Sequence, residues 1–175
     1  ISEKLVHQLN SFLPPSIAVK RIFKVKDDFH ARFDATYRTY EYYISLEKNP
    51  FSEKLAWQHW RKSLDVEKMN EACKILFEYS DFESFAKIGG DNKTNICKIY
   101  HANWEQNENE LKFTISADRF LRNMVRAIVG TMVEIGSGKL KPTDLRNVIE
   151  AKNRNAAGTS APAHALFLVD VGYEF

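Results

Sequence analysis

The segment ELKFTISAD, residues 110–118, alternates without a break. Leu111, Phe113, Ile115 and Ala117 fall on one side, and Lys112, Thr114, Ser116 and Asp118 on the other. A period of two marks a strand with one dry face and one wet face. ICKIYHANWEQ (96–106) precedes it through Asn107-Glu108-Asn109, so the two read as a hairpin. A hairpin with one apolar face is not stable alone. It needs further strands at its edges and a cover over that face.

Further strands are supplied on both sides. DDFHARFDATYRTYEYYISL (27–46) ends as a strand rich in aromatic and β-branched residues. It sets Arg38, Tyr40, Tyr42 and Ile44 on one face, with Tyr37, Thr39, Glu41 and Tyr43 on the other. LFLVDVGYEF (166–175) closes the chain as another strand. SIAVKRIFKV (16–25) also alternates, with Ile17, Val19, Arg21 and Phe23 opposite Lys20, Ile22 and Lys24, and is expected to be a strand.

The cover is helical. SLDVEKMNEACKILFEYSD (63–81) carries an apolar stripe of Val66, Met69, Ala72, Cys73 and Leu76, with Asp65 as its N-cap. A helix is expected over 119–136, ending at Gly136-Ser137-Gly138. PTDLRNVIEAKN (142–153) gives another, burying Leu145, Val148 and Ile149. At the start, ISEKLVHQLNSFL lines Leu5, Leu9 and Phe12 along one face until Leu13-Pro14-Pro15 stops it. IGGDNKTN (88–95) and AAGTSAPA (156–163) read as loops. Strands that come as neighbours and hairpins, rather than alternating with helices, make this an α+β chain: an antiparallel sheet backed by helices.

Composition narrows the function classes. The 175 residues carry a net charge of +2, so charge alone is weak evidence for a nucleic-acid partner. The two cysteines, Cys73 and Cys97, form no CxxC and suit a reducing compartment, so a cytoplasmic location is expected. The five histidines lack metal-ligand spacing, and no run of 18 apolar residues occurs; neither a metal site nor a membrane span is expected. There is no phosphate-cradling glycine loop.

ADRFLRNMVRAIVG (117–130) places Arg119, Arg122 and Arg126 inside an apolar run. At about 100° per residue the three share one narrow sector, with Phe120, Met124, Ile128 and Ile135 opposite. Arg119 and Arg122 are read either as a solvated face or as anion contacts. Arg126 stands where the helix turns apolar all round, with Val129 and Val133 in its own sector. A partly buried guanidinium needs an anion, either a carboxylate or a phosphate; a structural salt bridge is the alternative. Tyr40 shares a strand face with Arg38. It is either an ordinary cross-strand aromatic or a stacking platform for a base, with Arg38 as the cation for its phosphate.

Three longer motifs bring these residues together. FHARFDATYRTYEYYI (29–44), ADRFLRNMVRAIVGTM (117–132) and AAGTSAPAHALFLVDVGY (156–173) resemble, in order and spacing, segments of the bacterial tRNA pseudouridine synthase A family. The resemblance covers essentially the whole chain. It implies a fold of two similar, ferredoxin-like α+β halves around an antiparallel sheet. The implied activity is isomerisation of uridine to pseudouridine at tRNA positions 38–40, in the anticodon stem-loop, by a homodimer that uses no cofactor and no metal. It places Tyr40 and Arg126 in catalysis, Arg126 pairing with a nucleophilic aspartate. Leu166 falls on the residue shaping the uracil pocket, and Arg32, Arg38 and Arg122 are assigned to substrate binding.

Two departures stand out. Ala165 replaces the family's glycine before Leu166, which is expected to tighten the pocket wall. The family's R-T-D-x-G-V-H motif, which carries the nucleophile, occurs nowhere in the 175 residues. With Ile at position 1 and a start that reads as mid-helix, the expectation is an N-terminally truncated synthase. Residues 1–28 are then the tail of a first half and 29–175 the second half, and the chain is inactive by itself. The alternative is a non-catalytic RNA-binding module or interaction domain.

Overall fold

The computed structural model describes residues 3–59, 63–90 and 93–175. The first two residues of the expected N-terminal helix, and Asp91 and Asn92 of the expected loop, lie outside them. The chain divides into two compact units, residues 1–34 with 174–175, and residues 35–173.

In the smaller unit, α1 (Glu3–Phe12) forms as its apolar spacing predicts, yet buries no residue. Phe12 is 88% exposed. The strand expected over 16–25 does not form. Alternation sets the faces of a strand, but its N–H and C=O groups still need a partner ladder, and no described strand pairs with this stretch. One side chain stands in at a single position. The Asn10 amide donates to the Val19 carbonyl at 2.8 Å and accepts from the Val19 N–H at 2.7 Å. Asp34 ties off the following turn by accepting from the His30 N–H at 2.6 Å.

The larger unit is the α+β body. Its strands are β1 (Ala35–Ser45), β2 (Trp57–Gln58), β3 (Ile99–Asn107), β4 (Glu110–Ala117) and β5 (Leu166–Tyr173). β4 runs antiparallel to both β3 and β1, so the predicted hairpin lies beside the aromatic strand. The other edge of β1 is shared. β5 pairs antiparallel along Ala35–Tyr42, and the short β2 pairs parallel at Ile44 and Ser45. That two-residue parallel contact makes the sheet mixed rather than purely antiparallel.

The alternation of β4 is realised in full: Leu111, Phe113, Ile115 and Ala117 are all 0% exposed. Trp104 of β3 stacks on Phe113 at 4.8 Å. Burying each such large apolar side chain contributes about 1.5–3 kcal/mol. Over this face lie α2 (Val66–Leu76), α3 (Met124–Gly136) and α4 (Asp144–Glu150). Asp65 caps α2 by accepting from the Lys68 N–H at 3.1 Å. Leu145, Val148 and Ile149 are buried as expected. Both α2 and α4 are shorter than their apolar spacing predicts.

The largest correction concerns α3. It starts at Met124, not at residue 119, and Asn123 precedes it in the left-handed region at φ 72°. Arg119 and Arg122 are therefore not on the helix, and the shared sector of three arginines does not exist. The cause is competition for backbone groups. Asp118 Oδ1 accepts from the N–H groups of Lys98 and Arg119, both at 2.7 Å, which offers the chain a non-helical alternative. In a helix begun at 119, the Arg122 carbonyl would accept from Arg126. It accepts instead from the Lys87 N–H at 2.9 Å. The end of α3 is as expected: Ser137 and Gly138 donate back to Val133 and Ile135, with Gly138 at φ 77°.

Candidate active site

Tyr40 sits in the middle of β1, opposite Ile115 of β4 and Leu168 of β5. It lies on the same face as the core and is half-buried against it. Its ring meets Phe120 edge-on, with centroids 5.3 Å apart and planes at 86°. Phe120, like Arg119 and Arg122, precedes α3, so its expected place on the far side of an arginine helix is not realised. The Tyr40 hydroxyl makes no hydrogen bond among the described residues.

Two positions along, Tyr42 is completely buried and its hydroxyl donates to the Pro162 carbonyl at 2.8 Å. Burial pushes this phenol's pKa well above its ordinary value, while the nearby Arg126 charge opposes the shift. Leu166, the first residue of β5, pairs in register with Tyr42 and is half-buried. Tyr42 therefore links the platform face of β1 to both the closing loop and the arginine.

Arg126 is the third residue of α3, in its first turn, and is half-buried. Its Nε donates to the Ala161 carbonyl at 2.6 Å, and its own carbonyl accepts from the Ala161 N–H at 3.0 Å. Among the described residues its Nη groups have no hydrogen-bond acceptor and no carboxylate within 4.0 Å. The loop reaches this helix because both surfaces are bare. A Cβ on Gly130 would lie 1.7 Å from the Thr159 carbonyl oxygen, and one on Gly158 would lie 2.9 Å from the Thr131 nitrogen.

The remaining expected residues sit differently. Arg38 is half-buried and its Nη1 donates to the carbonyls of Ala35 and Asp118, each at 2.7 Å, so part of its fork holds the protein's own backbone. Arg122 is exposed, off the helix, beside the entry to α3. Arg32 belongs to the smaller unit, where its guanidinium lies 5.7 Å from the Phe33 ring centroid. Ala165 is fully buried in an ordinary right-handed backbone, so this position does not require glycine.

Sequence reasoning left Tyr42 as one more strand aromatic and gave Ala161 no role. A signal for Tyr42 was present: a tyrosine in an otherwise apolar strand interior needs an acceptor for its hydroxyl. Among the described residues no group of three or more His, Cys, Asp or Glu side chains could hold a metal ion. No described helix is long and apolar enough to cross a membrane.

Comparison with known proteins agrees with these motifs. The family model described as tRNA pseudouridine synthase matches residues 72–174. The chain is 57% identical over 169 residues to tRNA pseudouridine synthase A of Parabacteroides distasonis, covering 97% of this chain and 67% of that protein. It is 56% identical over 172 residues to the Bacteroides fragilis protein of the same name, covering 98% and 68%. With the more distant Bacillus subtilis protein of that name it shares 38% over 175 residues, covering 99% and 70%. The chain thus spans about two thirds of the length of these curated relatives, and it belongs to the tRNA pseudouridine synthase family.

Proposed function

We propose that this chain forms the uridine-holding part of a tRNA pseudouridine synthase acting on the anticodon stem-loop. In the reaction the C1′–N1 bond breaks, the uracil turns, and a C1′–C5 bond forms. The C5 proton leaves to solvent and N1 takes one up. No electrons are gained or lost, so no redox cofactor is called for. The target base has to leave its stack to reach such a site.

Each group has a role suited to its position. Tyr40 offers a ring face to the flipped base and a free hydroxyl for proton transfer. Leu166 forms an apolar wall. Arg126 holds the nucleophilic carboxylate, and the observation that carries this reading is the double hydrogen bond to Ala161. It fixes the guanidinium through Nε and leaves the Nη groups for a carboxylate, which they match in geometry. Arg38, Arg122 and Arg32 are read as contacts to the RNA outside the reacting base.

A carboxylate nucleophile can form and release a covalent adduct, and the motif that would supply it is not among the 175 residues. We read residues 29–175 as the second of two similar halves. The working form is read as a cytoplasmic homodimer that needs neither metal nor cofactor. The 175-residue chain is then inactive by itself and active once joined to a segment bearing R-T-D-x-G-V-H. Tritium release from C5-labelled uridine in tRNA tests this. Turnover by the 175-residue chain alone would refute this account of the nucleophile.

A further inference from the structure

An open cleft of about 590 Å³ lies in the larger unit, between the entry to α3 and the loop after α4. Its polar lining comes from Lys87, Asn123, Arg154, Asn155, Thr159 and Ser160. No carboxylate is among the described residues that line it. None of these side chains has a part in the uridine site proposed above.

The hydrogen bonds at its centre run in one direction. Asn123 Nδ2 donates to Ser160 Oγ at 2.7 Å, and Arg154 Nη2 donates to the same oxygen at 2.8 Å. A serine hydroxyl has two acceptor lone pairs and one proton. Both lone pairs are used, so the hydroxyl can only donate, and it has no acceptor among the described residues. Arg154 Nη1 is spent on the carbonyls of Ala157 and Gly158, at 3.2 and 3.0 Å, which fixes the guanidinium in place. Lys87 is exposed, and its ammonium has no partner among the described residues. Its backbone is anchored all the same, through the bond from its N–H to the Arg122 carbonyl. The cleft thus presents an ammonium, a fixed guanidinium and a hydroxyl proton with no matching acceptor. The ligand that satisfies such a set is an oxyanion.

We infer that this cleft binds a phosphate group, and that the group belongs to the RNA backbone next to the flipped uridine. The second half of this inference rests on the proposed function. Ser160 adjoins Ala161, which is bonded twice to Arg126, so one wall of the cleft is one residue along the chain from the anchor of the proposed uridine site. Ile88, 71% exposed at the cleft, adds an apolar ledge suited to a sugar or base edge.

The test uses the 175-residue chain, its Lys87→Ala variant and, as a control on an exposed lysine elsewhere, Lys139→Ala. Binding of a labelled anticodon stem-loop RNA is followed by fluorescence anisotropy across a salt series. Amide shifts of Lys87, Asn123 and Ser160 are followed by NMR during titration with inorganic phosphate. The expected result is that Lys87→Ala weakens RNA binding about 3–10-fold and lowers the slope of log K against log salt by about one, the effect of losing a single phosphate contact. Lys139→Ala should leave both unchanged. An unchanged slope in Lys87→Ala, with the wild type still binding RNA, overturns the cleft and spares the tRNA reading. Phosphate shifts at the three amides without salt-dependent RNA binding keep the oxyanion site and overturn its RNA source along with that reading. Neither shifts nor RNA binding overturns both.

Discussion

Arg126 and Ala161 hold each other by two hydrogen bonds, one to the Arg126 side chain and one to its backbone. The pair ties α3 to the small-residue loop that leads into β5. It also uses only the Nε edge of the guanidinium. A lysine would retain the charge but could not hold the loop and present a planar fork together. In a protein that also carries the aspartate motif, Arg126→Lys is therefore expected to lower kcat about 100-fold or more, the scale of losing a preorganised charge contact. RNA affinity should stay within about threefold of wild type. Single-turnover kinetics with anticodon stem-loop RNA would measure both, and full activity in Arg126→Lys would remove the fork from the mechanism.

The approach of loop to helix depends on Gly130. Any side chain there would collide with the Thr159 backbone, which cannot swing aside as a flexible side chain could. Gly130→Ala is expected to destabilise the chain by about 3 kcal/mol, the upper end of ordinary overpacking costs. Urea unfolding would measure this. A loss below about 0.5 kcal/mol would mean that the loop moves freely away from α3, and that the Arg126–Ala161 pair is not held by packing.

Much of this architecture is legible in the sequence, and what escapes has definite causes. The faces of β4 and the stripe of α2 follow from local period, because each element buries one continuous side. The same alternation over 16–25 yields no strand, since period says nothing about whether a partner edge exists. The helix expected from residue 119 does not form because the Lys87 N–H, far away in sequence, takes the Arg122 carbonyl that the first turn would need. Tyr40 and Arg126 could be picked out singly from charge and aromatic placement. Their link through Tyr42, Pro162 and Ala161 is a long-range contact, and no local pattern encodes it.

Buried acids make stability fall at alkaline pH. Burial pushes the Cys73 thiol up to about 12 and the Cys97 thiol up to about 11, from an ordinary value of 9.0. The Arg119 charge partly opposes the shift at Cys97. Between the unfolded and folded values the native state holds protons that the unfolded chain releases, so stability must drop as pH rises. It is fully present below about pH 9 and is lost progressively toward 11–12. Cys73→Ala is expected to flatten this decline between about pH 9 and 11. Urea midpoints measured at several pH values would show it, and an unchanged pH slope would exclude Cys73 as a contributor.

Tyr40 separates an enzyme from a binding platform. Its ring rests edge-on against Phe120 and its hydroxyl makes no hydrogen bond among the described residues. If the ring only stacks a base, Tyr40→Phe should be silent, and Tyr40→Ala should cost about 1–3 kcal/mol of RNA binding, the usual value of one aromatic stack. If the hydroxyl moves a proton during isomerisation, Tyr40→Phe should bind RNA normally yet lose about 100-fold or more in rate, in the range of general acid–base catalysis. We expect the second outcome in a protein that also bears the aspartate motif, read by tritium release and by anisotropy on the same RNA. A Tyr40→Phe variant with full rate would leave Tyr40 as a platform only and would move the proton-transfer role to another group.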